Sequence, residues 1–113
     1  MDASQRAEIL ADPGFGMSFS DHMSVVEYDE AKGGWHAASI GPREPLMLDP
    51  AASVLHYAQE IFEGMKAYKQ ADGGLALFRP LANARRYNAS ARRMAMPELP
   101  EDLFLESIRQ LVA

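Results

Sequence analysis

Two pairs of adjacent glycines, Gly33–Gly34 and Gly73–Gly74, each lie between two segments of strand-like composition. Glycine adopts positive φ without steric cost, so a glycine pair in this position favours a tight turn between antiparallel strands. The pattern predicts one hairpin over residues 22–40 and a second over residues 63–80, with ADGG as the turn of the second. The first part of the chain is therefore expected to form antiparallel sheet.

Two helices are predicted after the hairpins. The first begins at Pro80, because proline is favoured at the first position of a helix, and it ends near the MPELP segment. The second begins near Glu101 and Asp102, whose negative charges suit a helix N-terminus. Strands followed by helices favour an α+β fold with a mostly antiparallel sheet over a doubly wound parallel one. The apolar stripe of the second helix comprises Leu103, Phe104, Ile108, Leu111 and Val112.

The remaining segments have weaker patterns. Residues 1–12 are predicted to be weakly ordered or helical, and residues 51–62 to form a short helical turn that leads into a strand. Residues 41–50 are bracketed by prolines and allow at most a short strand. The last helix carries no glycine, asparagine or proline to end it, which indicates that the chain is a fragment of a longer protein.

Composition excludes several classes of protein. Sixteen acidic residues against eleven basic ones give a formal net charge of -5, which argues against a general nucleic-acid binder. The absence of cysteine excludes disulfide frameworks and cysteine zinc sites, and the three histidines lack the spacing of a metal site. No apolar segment approaches the ~18 residues of a membrane span, and the first residues do not resemble a signal peptide. The expectation is a soluble, cytoplasmic protein without a nucleic-acid or membrane partner.

Residues 78–97 contain five of the eight arginines of this acidic chain. One interpretation is a solvated helix face, on which the arginine stems cover the edge of the core. The other is an anion site, because a guanidinium donates two parallel hydrogen bonds to a phosphate or carboxylate and stays charged. Periodicity does not choose between them. The helix has an apolar stripe of Ala84, Tyr87, Ala91 and Met94, with Arg86 and Arg93 on one flank and Arg85 and Arg92 on the other.

Two further features have competing interpretations. The segment GFGMSF lacks the third glycine and the preceding strand of a dinucleotide-binding loop, so it is not interpreted as a phosphate loop. Four aromatic residues lie near glycines. The default interpretation is that they are core residues, and the alternative is that their rings line an apolar ligand pocket. They are Phe15, Tyr57, Phe62 and Tyr68.

The segments LHYAQEIFEGMKAY and LFRPLANARRYNASARRM resemble the N-terminal part of branched-chain amino-acid aminotransferases, which are fold-type IV pyridoxal-phosphate enzymes. GFGMSFSDHM and PLMLDPAASVLHY match as well, so the resemblance covers nearly everything from Phe15 onward. It implies that residues 1–113 are the small N-terminal domain and that a larger, cofactor-bearing C-terminal domain is absent from this chain. The implied activity is transfer of the amino group between leucine, isoleucine or valine and 2-oxoglutarate. The implied enzyme is a cytoplasmic homodimer of amino-acid biosynthesis.

The resemblance also implies site residues. Arg86, the second arginine of NARR, matches the residue that binds the phosphate of pyridoxal 5'-phosphate, while Arg79 is expected to be structural. Phe15, Tyr57 and Phe62 match positions that line the pocket for the substrate side chain, and Tyr57 serves either its own or the partner subunit's site.

The lysine that this chemistry requires is not expected in this chain. Pyridoxal-phosphate enzymes use a lysine that forms a Schiff base with the cofactor, and the family carries it in the large domain. Lys32, Lys66 and Lys69 lie at the hairpins, outside the sequence context of that lysine. The fragment alone is therefore expected to be inactive.

Two alternatives remain open at this point. One is another fold-type IV enzyme, such as a D-amino-acid aminotransferase or an aminodeoxychorismate lyase. The other is a free-standing, non-catalytic domain that dimerises or binds an anion.

Overall fold

The computed structural model describes residues 2–112, which form two antiparallel hairpins and four α-helices. The predicted α+β class is confirmed. In chain order the elements are α1 (Ala3–Ala11), β1 (His22–Asp29), β2 (Gly34–Pro42), α2 (Ser53–Tyr57), β3 (Ala67–Lys69), β4 (Leu75–Leu77), α3 (Pro80–Arg93) and α4 (Glu101–Val112). None of the helices in this part of the chain is long and apolar enough to cross a membrane.

The first hairpin pairs β1 with β2, from His22 opposite Pro42 to Asp29 opposite Gly34. A short 3₁₀ turn joins the strands, and Gly33 ends that turn in the left-handed region at φ 88°. Glycine adopts this conformation at no steric cost. The hairpin predicted over residues 22–40 is therefore confirmed, together with the role of its glycines.

The second hairpin is shorter than the sequence pattern indicates. Only three residues pair on each side, Ala67–Lys69 with Leu75–Leu77, within the predicted range of 63–80. The turn is closed by a hydrogen bond from the Gln70 amide to the Gly74 carbonyl at 2.8 Å. Gly73 lies at φ 87°, so the turn again depends on a glycine.

The strand predicted to follow α2 is absent, and residues 58–66 form no regular secondary structure. The helix itself is present, and Ala58 follows it in the left-handed region at φ 49°. The segment is tied to α3 through side chains: Gln59 Nε2 donates to the Met94 carbonyl at 2.9 Å, and Asn83 Nδ2 donates to the Gly64 carbonyl at 3.1 Å. The bond from Asn83 satisfies a backbone carbonyl of this segment that a strand neighbour would otherwise satisfy.

The core lies between α3 and α4, and α4 also contacts both strands of the first hairpin. Ala84 and Ala91 are fully buried on α3, since small side chains allow close contact between elements. The Tyr87 ring lies 5.6 Å from the Phe104 ring across the helix pair. The predicted apolar stripe of α4 faces α3 through Phe104, whereas Leu103 and Leu111 lie near the first hairpin.

Residues 3–11 form the helix that was one of the two alternatives for this segment. Asp2 and Gln5 form a capping box, in which the Asp2 carboxylate accepts from the Gln5 amide and the Gln5 side chain accepts from the Asp2 amide. Such a box satisfies amides that the first helical turn leaves without partners. No residue of α1 is buried, so this helix adds little to the core.

Candidate functional site

The most distinctive charged contact of the chain joins α3 to the irregular segment before β3. Arg86 lies in the second turn of α3, and its Nε donates to Glu63 Oε2 at 2.7 Å. Its Nη2 donates to the other carboxylate oxygen, Oε1. Two parallel charge-assisted bonds of this kind fix the plane of the guanidinium as well as its position.

Glu63 is the fixed member of the pair. Its side chain is only 5% exposed, and Oε1 also accepts from Asn83 Nδ2 and from the Gly64 amide, each at 3.0 Å. The Arg86 hydrogen bond above all, and those from Asn83 and Gly64, lower the pKa of the Glu63 carboxyl to about 2 against the opposing effect of burial. The same hydrogen bond raises the pKa of Arg86. Both groups are therefore ionised throughout the neutral range.

Arg86 retains capacity for a second anion. A guanidinium has five N–H donors, and Glu63 engages Nε and one hydrogen of Nη2, which share one edge of the group. Within residues 2–112 no other hydrogen bond or ion pair engages the guanidinium, and the Arg86 side chain is 68% exposed. The edge formed by Nη1 and Nη2 is thus available as a fork for two oxygens of a phosphate. This donor set fits the phosphate of pyridoxal phosphate.

The neighbouring arginines of α3 have different surroundings. Arg85 Nε lies 3.3 Å from Glu101 Oε1, and Arg92 pairs with Glu98. In both pairs each side chain is substantially exposed, unlike that of Glu63. Exposed ion pairs contribute little and are screened by salt, so the solvated-face interpretation holds for these two arginines.

Arg79 takes a backbone role. It precedes the first residue of α3 in the left-handed conformation, at φ 48° and ψ 50°, and its carbonyl accepts from the Ala82 amide at 2.9 Å. This is consistent with the structural role expected for it. No ion pair or side-chain hydrogen bond joins Arg79 or Arg93 to another residue described by the structure.

The aromatic residues are exposed, so their default interpretation as core residues is wrong. Phe62 adjoins Glu63 and is 90% exposed, and Phe15, Tyr57 and Tyr68 are also exposed. Phe62 directly precedes Glu63, the acidic partner of Arg86. Across residues 2–112, no hydrogen bond, ion pair or ring contact joins Phe15 or Tyr57 to Arg86.

Sequence reasoning missed Glu63 and Asn83. Asn83 could have been found from the sequence. It lies three residues before Arg86 on the predicted helix, and residues three apart share a helix face. Glu63 stands in the quoted FEGMKAY segment, but it is 23 residues from its partner. Only the folding of the irregular segment against α3 brings the two together.

Comparisons with known proteins name the group to which the chain is similar. It is 57% identical over 108 residues to the branched-chain-amino-acid aminotransferase of Mycolicibacterium smegmatis, a match that covers 96% of this chain and 29% of that protein. It is 56% identical over 110 residues to a probable branched-chain-amino-acid aminotransferase of Streptomyces coelicolor, covering 97% and 30%. It is 52% identical over 99 residues to branched-chain-amino-acid transaminase 1 of Bacillus subtilis, covering 88% and 28%. No protein-family model matches the chain.

The chain thus spans about 30% of the length of the curated relatives that it matches. Identity above one half, over nearly the whole chain, confirms the resemblance that the FEGMKAY and NARR segments indicate. The chain belongs to the branched-chain-amino-acid aminotransferase family.

Proposed function

We propose that this chain is the N-terminal part of a pyridoxal-phosphate enzyme that transfers the amino group between leucine, isoleucine or valine and 2-oxoglutarate. The observation that carries the proposal is the Arg86 guanidinium. It is held along one edge by a buried carboxylate and open along the other, in a chain 57% identical to a branched-chain-amino-acid aminotransferase. In this proposal the enzyme is a cytoplasmic homodimer that serves amino-acid biosynthesis.

Arg86 binds the cofactor phosphate in this proposal. Its free Nη1–Nη2 edge donates two parallel hydrogen bonds, and its charge persists at every pH at which the enzyme works. When bound, pyridoxal phosphate supplies the electron-accepting ring that allows the amino acid's α-carbon to lose its proton. Arg86 keeps that group in place and takes no part in the proton transfer.

The exposed aromatic side chains form part of the substrate pocket. Phe62 directly precedes Glu63, the residue that holds Arg86. Branched aliphatic side chains require an apolar wall, which Phe62, Phe15 and Tyr57 supply together. Glutamate, the shared amino donor, needs a polar contact as well, and the Tyr57 hydroxyl provides one. Tyr57 lines either the site of its own subunit or that of the partner subunit.

The chain alone is inactive in this proposal, because it lacks a suitable lysine. Lys32, Lys66 and Lys69 are exposed, and Lys32 lies 4.0 Å from Asp29 at the first turn. The lysine that carries the cofactor and moves the α-proton therefore belongs to a segment outside these 113 residues.

The test compares two arginines of the same helix in the full-length protein. Arg86→Ala is expected to weaken pyridoxal-phosphate binding by at least about tenfold, since it removes a charge-assisted fork. Arg92→Ala, which removes an exposed ion pair, is expected to change it by less than about twofold. Cofactor affinity is measured by titration of the apoenzyme. Equal effects of the two changes would show that the phosphate is bound elsewhere.

Substrate class is tested in the same protein. Leucine, isoleucine and valine are expected to yield glutamate from 2-oxoglutarate, while D-alanine is expected to yield none. A preference for D-alanine would identify a D-amino-acid aminotransferase, which is the other fold-type IV activity weighed above.

A further inference from the structure

We infer that Glu63 is a positioning residue for the cofactor phosphate, which it serves by holding the Arg86 guanidinium along one edge so that the other edge faces the anion. This inference rests on the proposed function, in which Arg86 binds the phosphate. Glu63 itself does not touch the cofactor. Its effect passes through Arg86 alone.

The first support is the geometry of the pair. An arginine side chain has many rotamers, and fixing one of them on binding an anion costs free energy. Glu63 already fixes the Arg86 guanidinium through Nε and Nη2, so less freedom remains to be lost when the phosphate binds. Preorganisation of this kind increases affinity without adding any contact to the ligand.

The second support is the way in which Glu63 is itself held. Asn83 Nδ2 donates both to Glu63 Oε1 at 3.0 Å and to the Gly64 carbonyl at 3.1 Å, and the Gly64 amide donates to the same Oε1. These bonds attach the carboxylate to the first turn of α3, one turn before Arg86. The partners of Arg85 and Arg92 are more exposed than Glu63 and lack such a set of donors.

The negative charge of Glu63 opposes phosphate binding, because a carboxylate repels a phosphate. The carboxylate occupies the Nε edge of the guanidinium, so the cation lies between it and the free edge. Repulsion falls with distance, whereas the orientation of the guanidinium depends on both hydrogen bonds to the carboxylate. We therefore expect positioning to outweigh repulsion.

The experiment measures cofactor affinity in the full-length apoenzyme with two ligands, pyridoxal phosphate and pyridoxal, which lacks the phosphate. Glu63→Gln places an NH₂ group against the donors of Arg86 and breaks the bidentate pair. It is expected to weaken pyridoxal-phosphate binding by about tenfold and pyridoxal binding by less than about twofold, in keeping with the usual size of charge-assisted hydrogen bonds. Glu101→Gln, which removes the partner of Arg85, is the matched control and is expected to leave both affinities within about twofold.

A double variant tests whether the effect passes through Arg86. In the Arg86→Ala background, Glu63→Gln is expected to cause no further loss of pyridoxal-phosphate affinity, as for two residues that act as one unit. A loss that persists in this background would overturn the positioning role. Equal losses for both ligands, or tighter phosphate binding in Glu63→Gln, would overturn it as well.

Two results separate this inference from the function on which it rests. If Arg86→Ala lowers phosphate-dependent affinity and Glu63→Gln does not, the inference fails and the proposed function stands. If Arg86→Ala has no effect, both fail. Should Glu63→Gln not fold, Asn83→Ala removes one donor from the carboxylate and is expected to give a smaller loss, again specific for the phosphate. A loss shared with pyridoxal would then refute the inference.

Discussion

Asn88 and Leu99 are joined by hydrogen bonds in both directions. Asn88 Nδ2 donates to the Leu99 carbonyl at 2.8 Å, and Asn88 Oδ1 accepts from the Leu99 amide at 3.0 Å. Asn88 is 8% exposed, on the face of α3 that also buries Ala84 and Ala91. A single amide side chain thus satisfies both backbone groups of a residue in the connection between α3 and α4.

Asn88→Ala is expected to lower the free energy of unfolding by about 1–3 kcal/mol, because it leaves a partly buried amide and carbonyl without partners. Denaturant unfolding of the full-length protein measures this change. Gln110→Ala is the control, since it removes an exposed bond to Glu106 within α4 and is expected to cost less than about 0.5 kcal/mol. Similar losses for the two variants would mean that water replaces Asn88 at Leu99.

Glu63 is expected to make stability depend on pH in acid. Its pKa in the folded chain is about 2, below its ordinary value of 4.5, so the unfolded chain takes up the proton first as pH falls. The stabilisation is fully present above the unfolded-state pKa and is lost as pH falls toward 2. The stability difference between the wild type and Glu63→Gln is therefore expected to shrink between pH 6 and pH 3. Unfolding at both pH values measures it, and a constant difference would contradict the low pKa.

The elements that were predicted correctly are those determined by residues close to one another in sequence. Gly33 and Gly73 occupy positive φ in their turns, and Pro80 begins α3 because its missing amide costs nothing there. The acidic first turn of α4 and the stripes of both helices likewise depend on neighbours in sequence. Each of these could be predicted without knowledge of the rest of the fold.

The parts that could not be predicted depend on contacts between distant residues. The strand expected after α2 is irregular, and its Gly64 carbonyl accepts from Asn83 of α3 in place of a neighbouring strand. An apolar ring such as that of Phe62 occurs both in cores and on exposed surfaces. Residue type alone therefore favoured a core position for it. Arg86 could be distinguished from Arg92 by resemblance alone, whereas the structure distinguishes them by the burial of their acidic partners.

The lysines of this chain are expected to carry no cofactor in the full-length enzyme. Lys32, Lys66 and Lys69 are exposed side chains at the two hairpins, and an exposed amine has no fixed position from which to act as a base. Borohydride reduction of the holoenzyme, followed by peptide mapping, is expected to find the cofactor on a lysine outside residues 1–113. A label on any of these three lysines would refute the proposal that the catalytic lysine lies elsewhere.

Phe62→Ala is expected to alter selectivity among aliphatic substrates and to leave stability nearly unchanged. The ring is 90% exposed in this chain, so its removal opens no cavity here, but it enlarges the proposed pocket. Because one methylene in an apolar pocket changes kcat/KM by about 10-fold or more, the leucine-to-valine ratio of kcat/KM is expected to change by at least about threefold. Phe78→Ala, which removes an exposed ring next to β4, is the control and is expected to leave the ratio unchanged. Steady-state kinetics with both substrates measure the ratio, and an unaltered value in Phe62→Ala would remove this ring from the substrate pocket.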